Sequence, residues 1–387
     1  MKTTMKAAVI GLALAAAACG PGSAEPTSGG TEDRAAASTA APAQAGRPVP
    51  SETREFRDWT VTCDNGNDCF AFAFAPDFAA GWVRVAMEAG PSAEPRIAFG
   101  LWGEDFFRGR PADQPHPPLA LVIDGRSFPA TLAEASGEDA PVGEIRSGTR
   151  AVIAAMAAGR TMQIRAGETT AISPSGASAA LLWIDERQGR LNTTTALLRR
   201  GDRPASDVPA APALPVLRAG PPADQTGFGG DKQTLPASLA ARADVKDCLA
   251  ESAHSDWLMQ NVMSARLDAR TELWAVPCGA GAYNVSHYWY LTGPGGRDPR
   301  PAELLGSEGP RTGDSAEVWP VNSTINGEYA ADERAITAFS KGRGLGDCGT
   351  SQTWLWTGRR FELQAESSMG HCAGVPWEYW PTTWRTR

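Results

Sequence analysis

The side chains that could do chemistry are few and scattered. The 387-residue chain holds seven cysteines and four histidines. His116 lies between prolines, His254 and His287 stand apart in the second half, and His371 sits beside Cys372. That leaves little material for a histidine-based metal site. A Cys–His nucleophile needs a free thiolate, and a disulfide at Cys372 removes that option. Carboxylates offer more. Trp183-Ile-Asp-Glu-Arg-Gln-Gly-Arg190 places Asp185 and Glu186 together at a helix end, and paired carboxylates can do acid–base or glycoside chemistry. Adjacent helical residues, however, point about 100° apart, so both converge poorly on one bond. The simpler reading is a solvated helix face, with a Glu186–Arg190 pair contributing about 0.3–0.5 kcal/mol. Asp185, Glu186, Arg187 and Arg190 are therefore binding candidates, and no catalytic residue is assigned. The second candidate is aromatic: in Trp377-Glu-Tyr-Trp380, Trp377, Tyr379 and Trp380 could form a platform for sugar rings. The alternative is that these rings close the core of a small β domain.

Familiar catalytic motifs are missing. Gly344-Leu-Gly-Asp-Cys-Gly349 fits Gly-x-Gly-x-x-Gly, but a dinucleotide site needs a strand before it and a helix after it. Here a strand-like Thr-Trp-Leu-Trp run follows, so the segment reads as a turn. There is no phosphate-binding loop, no nucleophile elbow and no His-Glu-x-x-His. No metal or cofactor is implied. With 36 Lys and Arg against 44 Asp and Glu, the formal charge is -8, which argues against nucleic acid as a partner.

The cysteines read as staples. Cys63 and Cys69 flank the turn-rich Asp64-Asn-Gly-Asn-Asp68, and a bridge there would constrain the unfolded chain by about 2.4 kcal/mol. Nearest-neighbour pairing joins Cys248 to Cys278 and Cys348 to Cys372, although the pairing of these four stays open. The closest pair is spaced too widely for the usual zinc clip.

Cys19 stands apart. Lys2 and Lys6 precede an apolar run, Ala7 to Ala18, that is too short to span a bilayer. This layout resembles a bacterial lipoprotein signal with Cys19 as the lipid-bearing residue, except that Ala16 replaces the preferred Leu. Ordinary signal cleavage at the Ala run is the alternative. Residues 1–19 are thus expected to be a signal, and 20–52, rich in Ala, Gly, Pro, Ser and Thr, a flexible tether. The protein is expected on the periplasmic side of the envelope, anchored to the outer membrane, where disulfides persist.

The elements that must position these residues follow from periodicity. Phe70, Phe72 and Phe74 alternate along one strand, Val83, Val85 and Met87 along the next, and Ile97, Phe99 and Leu101 along a third. Leu119–Ile123 reads as a buried strand ending at the Asp124-Gly125 turn. Helices are predicted over Thr149–Ala158, capped by Gly159, and over 175–188, stopping at Gly189, with a short helical piece over Thr195–Arg200. Residues 53–200 thus form an α+β domain, an antiparallel sheet carrying two helices. Residues 201–236 are a Pro-rich linker or wrapping loop. Residues 237–387 hold nine of the thirteen tryptophans and read as a mostly β meander or sandwich, stapled by disulfides. Strands are expected at 273–278, 282–291, 316–322, 336–340, 353–356 and 361–365. Only Leu239–Ala250 looks helical there. Asn326-Gly327 and Thr357-Gly358 are hairpin signals. Trp59-Thr-Val-Thr-Cys63 and Trp274-Ala-Val-Pro-Cys278 share a pattern too short to mark a duplication.

Several long blocks also resemble a known family. Phe56-Arg-Asp-Trp-Thr-Val-Thr-Cys-Asp-Asn65 with Cys69, Gly176 to Arg190, Trp274 to Asn284, Gly342 to Gly349 and Trp380 to Arg385 are similar, in order, to the domain-of-unknown-function 1176 family of bacterial envelope proteins. The resemblance covers roughly residues 53–387. Asp58-Trp-x-Val-x-Cys63 is also weakly similar to invasion-associated locus B proteins. The main resemblance implies an envelope location and this architecture but no activity. The expected function is a non-catalytic module that binds an envelope protein or a glycan; the alternative is a hydrolase of cell-wall or surface glycans using the Asp185–Glu186 pair.

Overall fold

The computed structural model describes residues 49–76, 81–102, 118–133, 140–231, 233–309 and 319–387. The signal, Cys19, nearly all of the tether and His116 lie outside these residues.

Strands β1 (Glu52–Phe56), β2 (Trp59–Cys63), β3 (Cys69–Phe74), β4 (Gly81–Met87) and β5 (Arg96–Leu101) follow one another as antiparallel neighbours. β6 (Ala120–Ile123) and β7 (Arg126–Pro129) then start a second sheet as a hairpin. Its turn is Asp124-Gly125, both at positive φ. β8 (Thr131–Leu132) and β9 (Val142–Ile145) return to the first sheet beside β5. Helix α1 (Thr149–Ala158), strands β10 (Met162–Ala166) and β11 (Glu168–Ile172) and helix α2 (Ala177–Arg187) complete this half. Gly159 ends α1 in an extended conformation, not the left-handed one expected of a cap. It is needed instead for closeness, since a Cβ there would lie 2.8 Å from the Ile123 side chain. No helix forms over 195–200, because the backbone N–H groups of Leu197, Leu198 and Arg199 are taken by the Asp185 carboxylate.

β3 and β4 are almost wholly buried, because both faces of the first sheet are covered. Val61, Ala71, Val83, Val85 and Phe99 face α1, α2 and the second sheet. Phe70, Phe72, Trp82 and Ala98 pack instead against Cys348, Met369, Val375, Tyr379 and Trp380. The Trp82 indole donates to the Gly374 carbonyl at 3.2 Å.

The Pro-rich segment after residue 200 is a strap tied at several points. Leu217 donates to the Arg387 carbonyl, Arg387 to Pro215, and Gly220 to Trp356. The Gln225 side chain pairs with the Arg266 backbone like a missing strand.

Beyond the strap, short helices α3 (Ala237–Ala240), α4 (Ala243–Ser252) and α5 (Asp256–Met259) precede the third sheet. It consists of β12 (Met263–Arg266), β13 (Glu272–Ala280), β14 (Val285–Gly293), β15 (Arg297–Pro301) and β16 (Ser323–Ile325). The strand expected over 316–322 is absent over its described part, 319–322, where Ser323 N–H closes a turn on the Pro320 carbonyl. The fourth sheet is a meander of β17 (Gly327–Ala330), β18 (Ala335–Lys341), β19 (Gly349–Trp356), β20 (Phe361–Met369) and β21 (Thr382–Arg385). Thr357-Gly358 turns the β19–β20 hairpin. Asn326-Gly327 does not make a hairpin: it passes the chain from β16 in the third sheet to β17 in the fourth. Gly344–Gly349 is a turn leading into β19, as the sequence suggested. Three disulfides join Cys63 to Cys69, Cys248 to Cys278 and Cys348 to Cys372. The fold is α+β, dominated by antiparallel sheet.

Candidate functional site

The charged end of α2 is a structural bracket, and it does not bring a carboxylate pair together. Asp185 is fully buried. Its oxygens accept from Leu197 N at 2.6 Å, Leu198 N at 2.9 Å and Arg199 N at 3.3 Å. Burial raises its pKa, with the three backbone donors opposing. Glu186, the next residue, is exposed. Arg190 is also fully buried, and donates to Gln188 Oε1 and to the carbonyls of Glu88 and Gly90. Arg187 reaches Asn67 Oδ1 at 3.0 Å, the Pro50 carbonyl at 2.7 Å and the Glu52 carboxylate.

These groups hold the loop closed by Cys63–Cys69. The Gln188 amide donates to the carbonyls of Asn67 and Met87. From the far end of the chain, Arg385 bonds Asp64 at 2.6 Å and Asp68 at 2.7 Å. The Asn65 amide exchanges two hydrogen bonds with the Arg385 backbone. Gly66 lets the Arg385 guanidinium come close: a Cβ there would sit 2.4 Å from it, and Arg385 would have to shift from its two aspartates. Burial pushes Asp64 up to about 6 and raises Asp68, while Arg385 pulls both down.

The three C-terminal aromatics separate as well. Trp377 is 73% exposed, but Tyr379 and Trp380 are only 8% and 4% exposed. Tyr379 donates to Glu144 at 3.0 Å and lies 5.4 Å from the Trp82 ring, and the Arg84 guanidinium lies over it at 5.7 Å. Trp380 donates to the Val375 carbonyl. Trp377 and Trp380 do line a cleft of about 700 Å³ with Trp102, Phe339, Leu345 and Pro376. No flat three-ring platform exists.

The strongest site lies on the other face of β19–β20. There the pairs Thr350–Ser368 and Gln352–Glu366 face a cleft of about 710 Å³. The alternate pairs, Ser351–Ser367 and Thr353–Ala365, face the Trp377 cleft. The opposite wall of the larger cleft is the first sheet, with Thr53 and Glu55 on β1, Thr60 and Thr62 on β2, and Phe72 and Phe74 on β3. Val61, between the two threonines, points to the core instead. Strand alternation thus gives one hydroxyl row facing space and one apolar row facing the core.

Glu366 anchors the cleft. Its carboxylate accepts from Ser307 N at 3.2 Å, Gln352 Nε2 at 2.6 Å, Thr383 Oγ1 at 2.6 Å and the Ser307 hydroxyl. Every one of these donors is neutral. Gly306 leaves room for it, since a Cβ would meet Glu366 Oε2 at 2.8 Å. Along the wall, Phe72 and Phe74 stack at 5.7 Å, and the His371 ring stacks on Phe74 at 4.2 Å. Partial desolvation lowers the His371 pKa, with Glu55 opposing. The described lining contains three glutamates, Glu55, Glu308 and Glu366, and neither lysine nor arginine. Among the described residues no cluster of His, Cys, Asp and Glu is placed to hold a metal ion. Chemically this is a site for a polar ligand without negative charge: hydroxyls and an amide for hydrogen bonding, stacked rings for an apolar face. The sequence signal was present as alternating threonines in β2 and as polar runs, Thr350–Thr353 in β19 and Glu366–Ser368 in β20, but it reads equally as a solvated sheet face.

Comparison with known proteins agrees with the resemblance seen in the sequence. Residues 53–387 match the family described as "Protein of unknown function (DUF1176)", and the chain belongs to that family. It is 29% identical over 357 residues to the "Uncharacterized protein YpfG" of Escherichia coli (strain K12), covering 86% of this chain and 93% of that one. No solved structure matches.

Proposed function

We propose that this protein is a non-catalytic binding module of the bacterial envelope, and that its ligand is a glycan held in the cleft between the first and fourth sheets. The envelope location rests on the lipoprotein-like signal ending at Cys19 and on the disulfides, which persist in oxidising compartments. The glycan reading rests on one observation: a cleft of about 710 Å³ lined by hydroxyls and by the stacked Phe74 and His371 rings, backed by the buried Phe72, without a basic residue in its described lining. Sugars present hydroxyls at their edges and C–H groups on their faces, which suits hydrogen-bonding side chains beside aromatic rings. The hydrolase alternative loses its nominated pair, because Asp185 is sealed and Glu186 faces solvent.

The test is titration of the purified full chain with neutral, N-acetylated and acidic oligosaccharides. Phe74→Ala is expected to weaken the binding of neutral or N-acetylated sugars by about tenfold, the equivalent of one aromatic contact. Trp377→Ala, in the other cleft, is expected to leave binding unchanged. Loss of binding in Trp377→Ala with no change in Phe74→Ala would move the site. Absence of binding to every sugar class would overturn the reading.

A further inference from the structure

The large cleft does not end at Trp319. A second cleft, of about 520 Å³, shares Trp319 and Ile325 with it. The second cleft is built from Cys278–Gly281 at the end of β13, Asn284, Ser286 and Tyr288 along the start of β14, and Pro320. Ile325 joins the two through β16, where it pairs with Ser286. Trp319 is 42% exposed, so part of its ring stays open to solvent at the junction. Along the second cleft Gly279 and Gly281 leave bare backbone. A Cβ at Gly281 would touch nothing nearer than the Asn284 carbonyl at 3.9 Å. Ser286 and the Asn284 amide add polar groups, and the described lining here, unlike that of the first cleft with its three glutamates, has neither acid nor base.

Each cleft alone is of a size that holds a small ligand, roughly 300–1,000 Å³. Two such clefts meeting at one half-exposed tryptophan suit a ligand that repeats. We infer that the occupant is a linear oligosaccharide that crosses Trp319, with one part in the Glu366 cleft and another over the Gly279–Gly281 backbone. This rests on the glycan reading above and adds to it the size and direction of the ligand. Trp319 acts as the saddle, its ring face under a sugar of the chain and its edges dividing the two subsites. Asn284 is already oriented by Asn326 and Lys341, so it presents a fixed edge instead of a mobile one.

The experiment is a length series. N-acetylglucosamine and glucose oligomers of one to six units are titrated into the full chain by calorimetry. Affinity is expected to rise by about tenfold or more between two and five units, then level off, as one further aromatic contact and one further polar subsite are engaged. Trp319→Ala should erase that rise while short oligomers bind as before. Gly281→Phe, which puts a side chain into the second cleft while leaving Trp319 in place, should erase it too, and unchanged thermal melting of both variants would show that neither acts through unfolding. An affinity independent of length, or a rise that survives both substitutions, would overturn the inference while leaving a glycan site in place. Failure of both series to bind the wild type would overturn the inference, and failure of acidic oligosaccharides as well would remove the glycan reading with it.

Discussion

Asp185 and Glu366 are both buried carboxylates, and both accept hydrogen bonds from neutral donors. They differ in who donates and in what lies beyond. Around Asp185 the donors are three successive backbone N–H groups of the 197–199 turn, and the site is closed. Around Glu366 three of the four donors are side chains, two of them hydroxyls that can rotate, and the site opens onto a large cleft. A backbone N–H can only donate, so it fixes one arrangement. A hydroxyl can donate or accept, so it can answer to a ligand. The same kind of group therefore holds the fold together in one region and lines a site in the other. A strong sequence motif, such as the charged end of α2, can mark the former.

The largest effect is expected where the donors cannot reverse. Asp185→Asn keeps the shape but turns one oxygen into an NH₂ group facing a backbone N–H. One buried donor then loses its acceptor and meets another donor, a cost of about 3 kcal/mol. Chemical denaturation should show that loss, with glycan affinity of the folded protein unchanged. A loss of affinity at intact stability would return the α2 end to the list of binding sites and break the contrast.

An intermediate effect comes from a buried group that titrates. His287 on β14 is buried, and desolvation lowers its pKa to about 4, against 6.5 for an exposed imidazole. Between those values the unfolded chain binds a proton that the folded chain refuses. Stability from this group is therefore full above pH 6.5 and is lost as pH falls toward 4. From pH 7 to pH 5 the loss is about 2 kcal/mol. Asp64 acts with the opposite sign: raised to about 6, it favours the folded state on the acid side and is penalised as pH rises from 4 to 6. Comparing the pH slope of wild type with that of His287→Gln isolates the imidazole. A variant with the wild-type slope would show that His287 is hydrated in solution.

Much of this was legible in the sequence. Helices α1 and α2 announced themselves by period and by Gly159 and Gly189, and nearest-neighbour pairing matched all three disulfides because each joins nearby segments. What failed did so for local reasons. The helix expected over 195–200 gave up its N–H groups to Asp185, and Pro320 turns the chain where a strand was expected. The cleft was hidden for a different reason. Its walls come from residues as far apart as Thr53 and Thr383, and no local pattern records that β2 and β21 face one space. The alternation that places Thr60 and Thr62 there looks the same whether a strand faces water or a ligand. Asp185 and Arg190 misled in the opposite sense, since charges clustered at a helix end suggest exposure, yet here they are the most buried members of their motif.

The smallest effect on stability, and the sharpest test of the contrast, is expected from Glu366→Gln. The remaining oxygen can face Ser307 N and Gln352 Nε2, the two donors now shared by Oε2. The new NH₂ group then faces the hydroxyls of Ser307 and Thr383, which can turn round and accept. No donor is stranded, so the stability loss should stay below about 1 kcal/mol, unlike that of the same isosteric change at Asp185. Turning those hydroxyls reverses the polarity they offer to the cleft, so oligosaccharide affinity should fall while the melting temperature barely moves. A stability loss as large as that of Asp185→Asn would mean the Glu366 network is as rigid as a backbone turn. The cleft would then be a void in the fold rather than a site that answers to a ligand.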